Sequence, residues 1–81
     1  MMSSMEVSLY PLGVEDIGTR IYRCIEIFRK YNLAITTGAM STVITGESDA
    51  LFRALREAYD AAASMDGVVM VVKISNVCPV T

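Results

Sequence analysis

The stretch Leu33-Ala-Ile-Thr-Thr-Gly-Ala-Met-Ser-Thr-Val-Ile-Thr-Gly46 decides the fold, because it places two strand-like runs side by side in the middle of the chain. Both runs, Leu33 to Gly38 and Met40 to Gly46, are rich in threonine and β-branched residues, which favour strands. Gly38 between them permits a tight turn. The stretch therefore predicts a β-hairpin.

An amphipathic helix precedes the hairpin. Its apolar residues recur at three- and four-residue spacing: Ile17, Ile21, Cys24, Ile25 and Phe28. Glu15 and Asp16 near its start, and Arg29 and Lys30 near its end, complement the helix dipole. Asn32 is a candidate C-terminal cap.

A second amphipathic helix follows the hairpin. Ser48 is predicted to cap its N-terminus. Its apolar stripe consists of Leu51, Leu55, Ala58, Tyr59 and Ala62.

One further strand is predicted at each end of the chain. From Met5 to Leu12 apolar and polar residues alternate, and Pro11 and Gly13 are expected to end the strand. The run from Val68 to Ser75 is almost continuously apolar, which predicts a strand that is buried on both faces.

The element order is thus β-α-β-β-α-β, which predicts an α+β, ferredoxin-like fold. We expect a four-stranded antiparallel sheet of order 4-1-3-2 with both helices on one face, in a single domain over residues 1–81 with an ordered core of about 5–79. The face without helices would carry four apolar side chains, those of Tyr10, Val43, Val69 and Val71. Because such a surface is too apolar to leave in water, we expect a homodimer or homotetramer formed through it.

Composition excludes several classes of function. With 81 residues, 53% hydrophobic and 20% charged, and a net charge of −2, the chain is globular and has no basic stripe for nucleic acid. It contains no histidine and no Cys-x-x-Cys pair, so a zinc site and a histidine-based triad are not expected. The N-terminal residues do not form a signal peptide and no segment is long enough to span a membrane, which predicts a cytoplasmic protein.

The sequence also predicts a polar cluster at one end of the sheet. We expect strand one to run parallel to strand three and antiparallel to strand four, so that the start of strand three and the end of strand four flank the same end of strand one. The polar residues at this place are Glu6, Ser8, Ser41, Thr42, Ser75, Asn76 and Cys78. A few polar groups within apolar walls suit a small heteroaromatic ligand. Alternatively, these are ordinary solvent-facing strand residues.

Three segments carry a resemblance to a known family. They are Val-Ser-Leu-Tyr-Pro-Leu at 7 to 12, Met-Ser-Thr-Val-Ile-Thr-Gly at 40 to 46, and Val-Val-Met at 68 to 70 with Ile-Ser-Asn-Val-Cys-Pro at 74 to 79. From Glu6 to Pro79 the chain resembles the YkoF-like thiamine-binding family. It departs from the family pattern at Gly38 and Ala39, which replace an acidic residue and an aromatic-type polar residue.

The resemblance implies a non-enzymatic protein that binds thiamine or its hydroxymethylpyrimidine half, for vitamin uptake, salvage or sensing, with contact to a vitamin transporter as one route. No cofactor or metal is expected. Together with the polar cluster, the resemblance indicates these ligand-binding residues: Ser8, Leu9, Tyr10, Met40, Ser41, Thr42, Ser75 and Cys78. A thiazolium cation would favour a carboxylate or an aromatic face, for which Glu6, Tyr10 and Tyr59 are candidates.

Two alternatives stay open. The chain could be an interaction module whose open sheet face binds another protein, without any ligand. It could also use the fold as acylphosphatase-type enzymes do, although the turn after strand one is acidic where such enzymes cradle phosphate.

Overall fold

The hairpin at the centre of the sequence is flanked by two helices, as the pattern predicts. The computed structural model describes residues 1–12, 17–38, 41–64 and 67–77. Its elements are β1 (Met2–Pro11), α1 (Ile17–Lys30), β2 (Ala34–Thr37), β3 (Thr42–Glu47), α2 (Ser48–Ala63) and β4 (Val68–Ser75). The strands form one antiparallel sheet of order β2-β3-β1-β4. This confirms the predicted α+β, ferredoxin-like fold and its strand order.

The core lies between the sheet and the helices. Met5 of β1, Ile44 of β3, Phe28 of α1 and Leu51 of α2 are the large side chains that are fully buried there. The predicted stripe of α1 is confirmed at its described core positions, Cys24, Ile25 and Phe28. The side chain of Ile17, and Glu15 and Asp16 before it, lie outside the described residues.

The ends of the helices follow two different rules. Asn32, the second residue after α1, adopts a left-handed conformation with φ of 62°, so its predicted capping role is confirmed. Ser48, in contrast, is the first residue of α2 and not its cap; Glu47 holds the cap position and makes no side-chain cap hydrogen bond. The backbone N–H and the hydroxyl of Ser48 donate to the carbonyl of Met1, at 2.8 and 2.9 Å. A neighbouring main chain therefore replaces the side-chain cap.

β1 is longer than its sequence pattern indicates. It begins at Met2 and not at the predicted Met5, because Met2, Ser3 and Ser4 pair with the end of β3. The polar residues of this segment show no strand-like alternation of their own. Their strand conformation comes from the backbone hydrogen bonds that β3 offers.

The predicted parallel arrangement of strands one and three is wrong. Met2 of β1 lies opposite Glu47 of β3, and Val7 lies opposite Thr42, which is an antiparallel register. The reason is topological: the crossover through α1 returns the chain to its original direction, so β2 runs parallel to β1, and the hairpin then reverses it, so β3 opposes both.

The helix-free face of the sheet, which we call the open face, is as apolar as predicted. Tyr10, Val43, Val69 and Val71 are 52%, 39%, 47% and 48% exposed on it. Burial of β4 on both faces is therefore wrong for the single chain. One face of the strand packs against the core, through Val68, Met70 and Val72. Self-association through the open face stays a prediction.

The stripe of α2 is confirmed at Leu51, Ala58 and Ala62, which are buried. Tyr59, predicted for the same apolar stripe, is 47% exposed and is therefore not part of the core. Ala54 is buried instead, because a small residue lets the helix approach its neighbours closely.

Candidate functional site

β1 extends past the start of β3. The last pair between the two strands is Val7 with Thr42, whereas β1 continues to pair with β4 as far as Pro11. Among the described residues, the segment of β1 from Ser8 onward thus has a strand neighbour on one side only. The N–H and C=O groups along its other edge are available to a different partner.

A cavity of about 140 Å³ lies at this break in the sheet. It lies between β1, α1 and the turn of the hairpin, where β2 ends and β3 begins. The lining residues are Val7, Ser8, Leu9, Ile21, Cys24, Ile25, Phe28, Thr37, Gly38, Ser41 and Thr42.

The cavity has an apolar wall and a polar rim. Ile21, Ile25 and Phe28 of α1 provide aliphatic and aromatic surface, whereas Ser41 and Thr42 contribute hydroxyl groups from the start of β3. None of the described lining residues is charged. An uncharged ring with a few hydrogen-bonding groups fits such surroundings.

Cys24 is a lining residue whose thiol is a potential nucleophile. Its Sγ donates a weak hydrogen bond to the carbonyl oxygen of Ala58 at 3.9 Å, and burial raises the pKa of the thiol. Because the thiolate is the nucleophile, a raised pKa leaves Cys24 neutral and unreactive at neutral pH. Its predicted core position is confirmed, and its contact with the cavity is an additional finding.

Ser41 connects the cavity with the open face. Its hydroxyl donates to Oε2 of Glu6 at 3.1 Å, and Oε1 of Glu6 lies 3.9 Å from Nζ of Lys73. Glu6 and Lys73 also face each other in the β1–β4 register.

The structure brings together half of the predicted ligand-binding residues. Ser8, Leu9, Ser41 and Thr42 line the cavity. Tyr10 lies beyond it on the open face, and Ser75 lies elsewhere in the sheet. Met40 and Cys78 are outside the described residues.

Ser75 is separated from the cavity because of the strand directions. It pairs with Ser4, whereas Thr42 pairs with Val7, and three residues of strand span about 10 Å. The hydroxyl of Ser75 instead accepts a hydrogen bond from the backbone N–H of Val77 at 3.1 Å. The predicted cluster joining the start of β3 to the end of β4 does not form.

Sequence reasoning missed the contribution of α1 and of the hairpin's outer end. The lining residues that were not predicted are Val7 of β1 and, from those two places, Ile21, Cys24, Ile25, Phe28, Thr37 and Gly38. In the sequence, the residues on α1 look like an ordinary core-facing stripe. That part of this stripe borders a cavity becomes visible only from the place where the pairing of β1 with β3 ends.

A second apolar surface lies between α2 and β4. This groove of about 400 Å³ is lined by Phe52, Leu55, Arg56, Tyr59, Met70 and Val72. Tyr59, a predicted candidate for contact with a cation, therefore borders a different surface from the cavity. Among the described residues no group of acidic side chains and cysteines is arranged to hold a metal ion, and no helix has the length and apolarity to cross a bilayer.

The fold and the cavity together define a ferredoxin-like domain with the features of a small-molecule-binding protein. Comparison with known families then identifies the particular group. The sequence model of the thiamine-binding protein family matches residues 5–77, and the chain belongs to this family. The resemblance noted from the sequence is confirmed.

Individual relatives agree with this membership. The UPF0045 protein MJ1052 from Methanocaldococcus jannaschii is 38% identical over 73 residues, which cover 88% of this chain and 73% of the relative. Its crystal structure superimposes with a TM-score of 0.85 at 35% identity, over 93% of this chain and 79% of that one. The structure of protein SP2199 from Streptococcus pneumoniae superimposes with a TM-score of 0.81 at 29% identity, over 93% of this chain and 86% of that one.

A more distant structure shares the fold alone. It is protein TM0486 from Thermotoga maritima, provisionally assigned to thiamine biosynthesis or salvage, with a TM-score of 0.80 at 18% identity. The superposition covers 93% of this chain and 83% of that protein.

Proposed function

We propose that this protein binds thiamine through its aminopyrimidine ring, in the cavity between α1 and the break in the sheet, and does not transform it. The hydroxymethylpyrimidine precursor alone would bind in the same way. The observation that carries the proposal is the uncharged, one-ring cavity in a chain that belongs to the thiamine-binding protein family.

The size of the cavity supports a single ring. An engineered protein cavity of about 150 Å³ holds benzene, whereas pockets for drug-sized ligands reach 300–1,000 Å³. At about 140 Å³ the cavity suits one six-membered ring with small substituents. The pyrimidine half of thiamine meets that description.

Hydrogen-bonding groups are available where such a ring would lie. An aminopyrimidine presents an amino donor beside ring-nitrogen acceptors, and the hydroxyls of Ser41 and Thr42 can act as donor or acceptor. The uncovered edge of β1 at Ser8 and Leu9 adds main-chain donors and acceptors. In this arrangement the ligand takes the place of the strand that β3 does not provide, and the apolar residues of α1 cover its ring face.

A binding role is favoured over catalysis by the chemistry of the lining. The described lining residues have no charged general acid or base, and Cys24 is held neutral by its raised pKa. We propose that the protein acts in the cytoplasm in uptake, salvage or sensing of the vitamin, and that delivery to a transporter is one use of the bound state.

The decisive experiment is calorimetric titration with thiamine and with hydroxymethylpyrimidine. The Thr42→Val variant should bind either ligand about three- to tenfold more weakly, because one hydrogen bond contributes roughly 0.5–1.5 kcal/mol. The matched control is Thr36→Val, in which the exposed hydroxyl of β2 is removed outside the cavity. Absence of heat with either ligand at millimolar concentration would contradict the proposal, as would equal losses in the two variants.

A second role is favoured by the apolar open face. We propose that a second copy of the chain covers Tyr10, Val43, Val69 and Val71, giving a homodimer or homotetramer. This role is compatible with ligand binding, since these four residues do not line the cavity.

A further inference from the structure

The cavity leaves one half of thiamine unaccommodated. Thiamine consists of an aminopyrimidine and a positively charged thiazolium ring joined through one methylene group. Because the cavity of about 140 Å³ suits one ring, the second ring has to lie at its mouth. The groups at the mouth therefore determine which forms of the ligand can bind.

Glu6 is a charged residue in direct contact with the cavity lining. Ser41 lines the cavity and donates to Oε2 of Glu6 at 3.1 Å, so the carboxylate is separated from the cavity by one small side chain. The Glu6 side chain is 44% exposed, which leaves room for a ligand beside it. Tyr10 lies on the same open face, four residues further along β1.

Lys73 does not cancel this charge fully. Its Nζ lies 3.9 Å from Oε1 of Glu6, at the limit of an ion pair, and its side chain is 81% exposed. Exposed pairs of this kind contribute about 0–1 kcal/mol, so a cationic ligand can displace the lysine at little cost. A phosphate at the mouth would have to lie beside the Glu6 carboxylate, and Lys73 is already placed against that carboxylate.

We propose that Glu6 binds the cationic ring of thiamine at the mouth of the cavity and thereby selects unphosphorylated thiamine over its phosphate esters. The inference rests on the proposed function and deepens it, since it assigns a specificity-determining residue and a charge preference to the same site. The physical basis is Coulomb attraction in a partly solvated position, where the lining itself contributes no charge.

The test compares three ligands: hydroxymethylpyrimidine, thiamine and thiamine diphosphate. Titrations use the unmodified protein, Glu6→Gln, and the matched control Glu26→Gln, which changes the net charge equally at an exposed position of α1. Glutamine keeps an acceptor for Ser41, and Glu6 lies in a half-exposed strand position, so the variant should keep its fold.

Glu6→Gln should weaken thiamine binding about tenfold, the effect of one unit charge a few ångströms away in a partly solvated site. Hydroxymethylpyrimidine, which lacks the cation, should bind both proteins equally. Thiamine diphosphate should bind the unmodified protein at least about tenfold more weakly than thiamine does, and Glu26→Gln should change nothing.

Failure of the inference is distinguishable from failure of the proposed function. If hydroxymethylpyrimidine binds but Glu6→Gln leaves the affinity for thiamine unchanged, the role of Glu6 is overturned and the proposed function stands. Tighter binding of the diphosphate than of thiamine, lost in Lys73→Gln, would reverse the charge preference and overturn the inference as well. If neither thiamine nor hydroxymethylpyrimidine binds, both proposals fail.

Discussion

Gly46 lies in β3 against Leu33, a residue of the segment that connects α1 to β2. A Cβ atom added at this position would overlap Cδ2 of Leu33, and both residues are buried. The absence of a side chain at Gly46 is therefore a packing requirement. It lets Leu33 cover the sheet directly before β2 begins.

We predict that Gly46→Ala destabilises the protein by about 1–3 kcal/mol, because the buried leucine has to move out of a packed position. Urea denaturation followed by circular dichroism measures this change in the free energy of unfolding. The control is Gly18→Ala in α1, where an added Cβ meets no atom within 4 Å and alanine favours the helix. A Gly46→Ala variant as stable as the Gly18→Ala variant would contradict the packing account.

Several single residues were predictable from local chemistry and others were not. Asn32 was identified as a cap because asparagine tolerates the left-handed conformation that it adopts. Ser48 was misassigned because the group that satisfies the start of α2 is the Met1 carbonyl, which is remote in sequence. Local propensity cannot register a main-chain partner that folding brings from another element.

At the level of elements, the helices are joined to each other beyond the core. Tyr31, directly after α1, donates its hydroxyl to Oε1 of Glu57 on α2 at 2.6 Å, and Lys30 forms an ion pair with the same carboxylate. The hydrogen bonds from Lys30 and Tyr31 lower the pKa of Glu57. The hydrogen bond to Glu57 raises the pKa of Tyr31.

The direction of the pH dependence follows from these shifts. A carboxyl group whose pKa is lowered by folding stabilises the folded state above its ordinary pKa of 4.5, and this contribution is lost as the pH falls through the folded value. A phenol whose pKa is raised stabilises the folded state below its ordinary pKa of 10.0, and this contribution is lost as the pH rises through the folded value. The contact between the helices is therefore fully present between these limits.

We predict that Tyr31→Phe lowers the midpoint of thermal unfolding at neutral pH, by less than Gly46→Ala does, because the contact is at the surface. The difference from the unmodified protein should shrink as the pH falls below the ordinary glutamate pKa of 4.5. Differential scanning calorimetry across this pH range measures it. Tyr22→Phe, at an exposed position of α1, serves as the control. A pH-independent difference would show that Glu57 is not the partner that matters.

The order of the elements could be predicted from the sequence, whereas only half of the predicted site residues line the cavity. Hydrophobic periodicity predicted both helices, and the threonine- and β-branched-rich runs on either side of Gly38 predicted the hairpin. Ser41 and Thr42 were found because they begin a strand next to a turn. Ser75 was wrongly added to them because the relative direction of β1 and β3 was misjudged.

The role of α1 in the cavity depends on registers that no local pattern encodes. Ile21 and Cys24 look like core residues in the sequence, and they border a cavity because β3 starts opposite Val7 while β1 continues to Pro11. That offset results from the length of the hairpin and the pairing of β1 with β4. It is a property of the assembled sheet.

At the scale of the whole molecule, the two faces of the sheet have different roles. The helices and the cavity occupy one face, and the other presents Tyr10, Val43, Val69 and Val71 to solvent. A chain of 81 residues buries a modest fraction of its surface by itself, so coverage of a second face would add substantially to its stability.

We predict that the unmodified protein sediments as a dimer or tetramer at micromolar concentration and that Val71→Lys shifts it to the monomer. Each half-exposed valine would contribute roughly 1 kcal/mol to association on leaving water, and in a two-fold interface each residue contributes once from each subunit. A lysine at this position would bring an unpaired charge into the contact. Sedimentation velocity over a range of protein concentrations measures the effect. Val77→Lys, which places the same charge at an exposed residue after β4, should leave the assembly intact. A monomeric unmodified protein, or an unchanged mass for Val71→Lys, would show that the open face is not the interface.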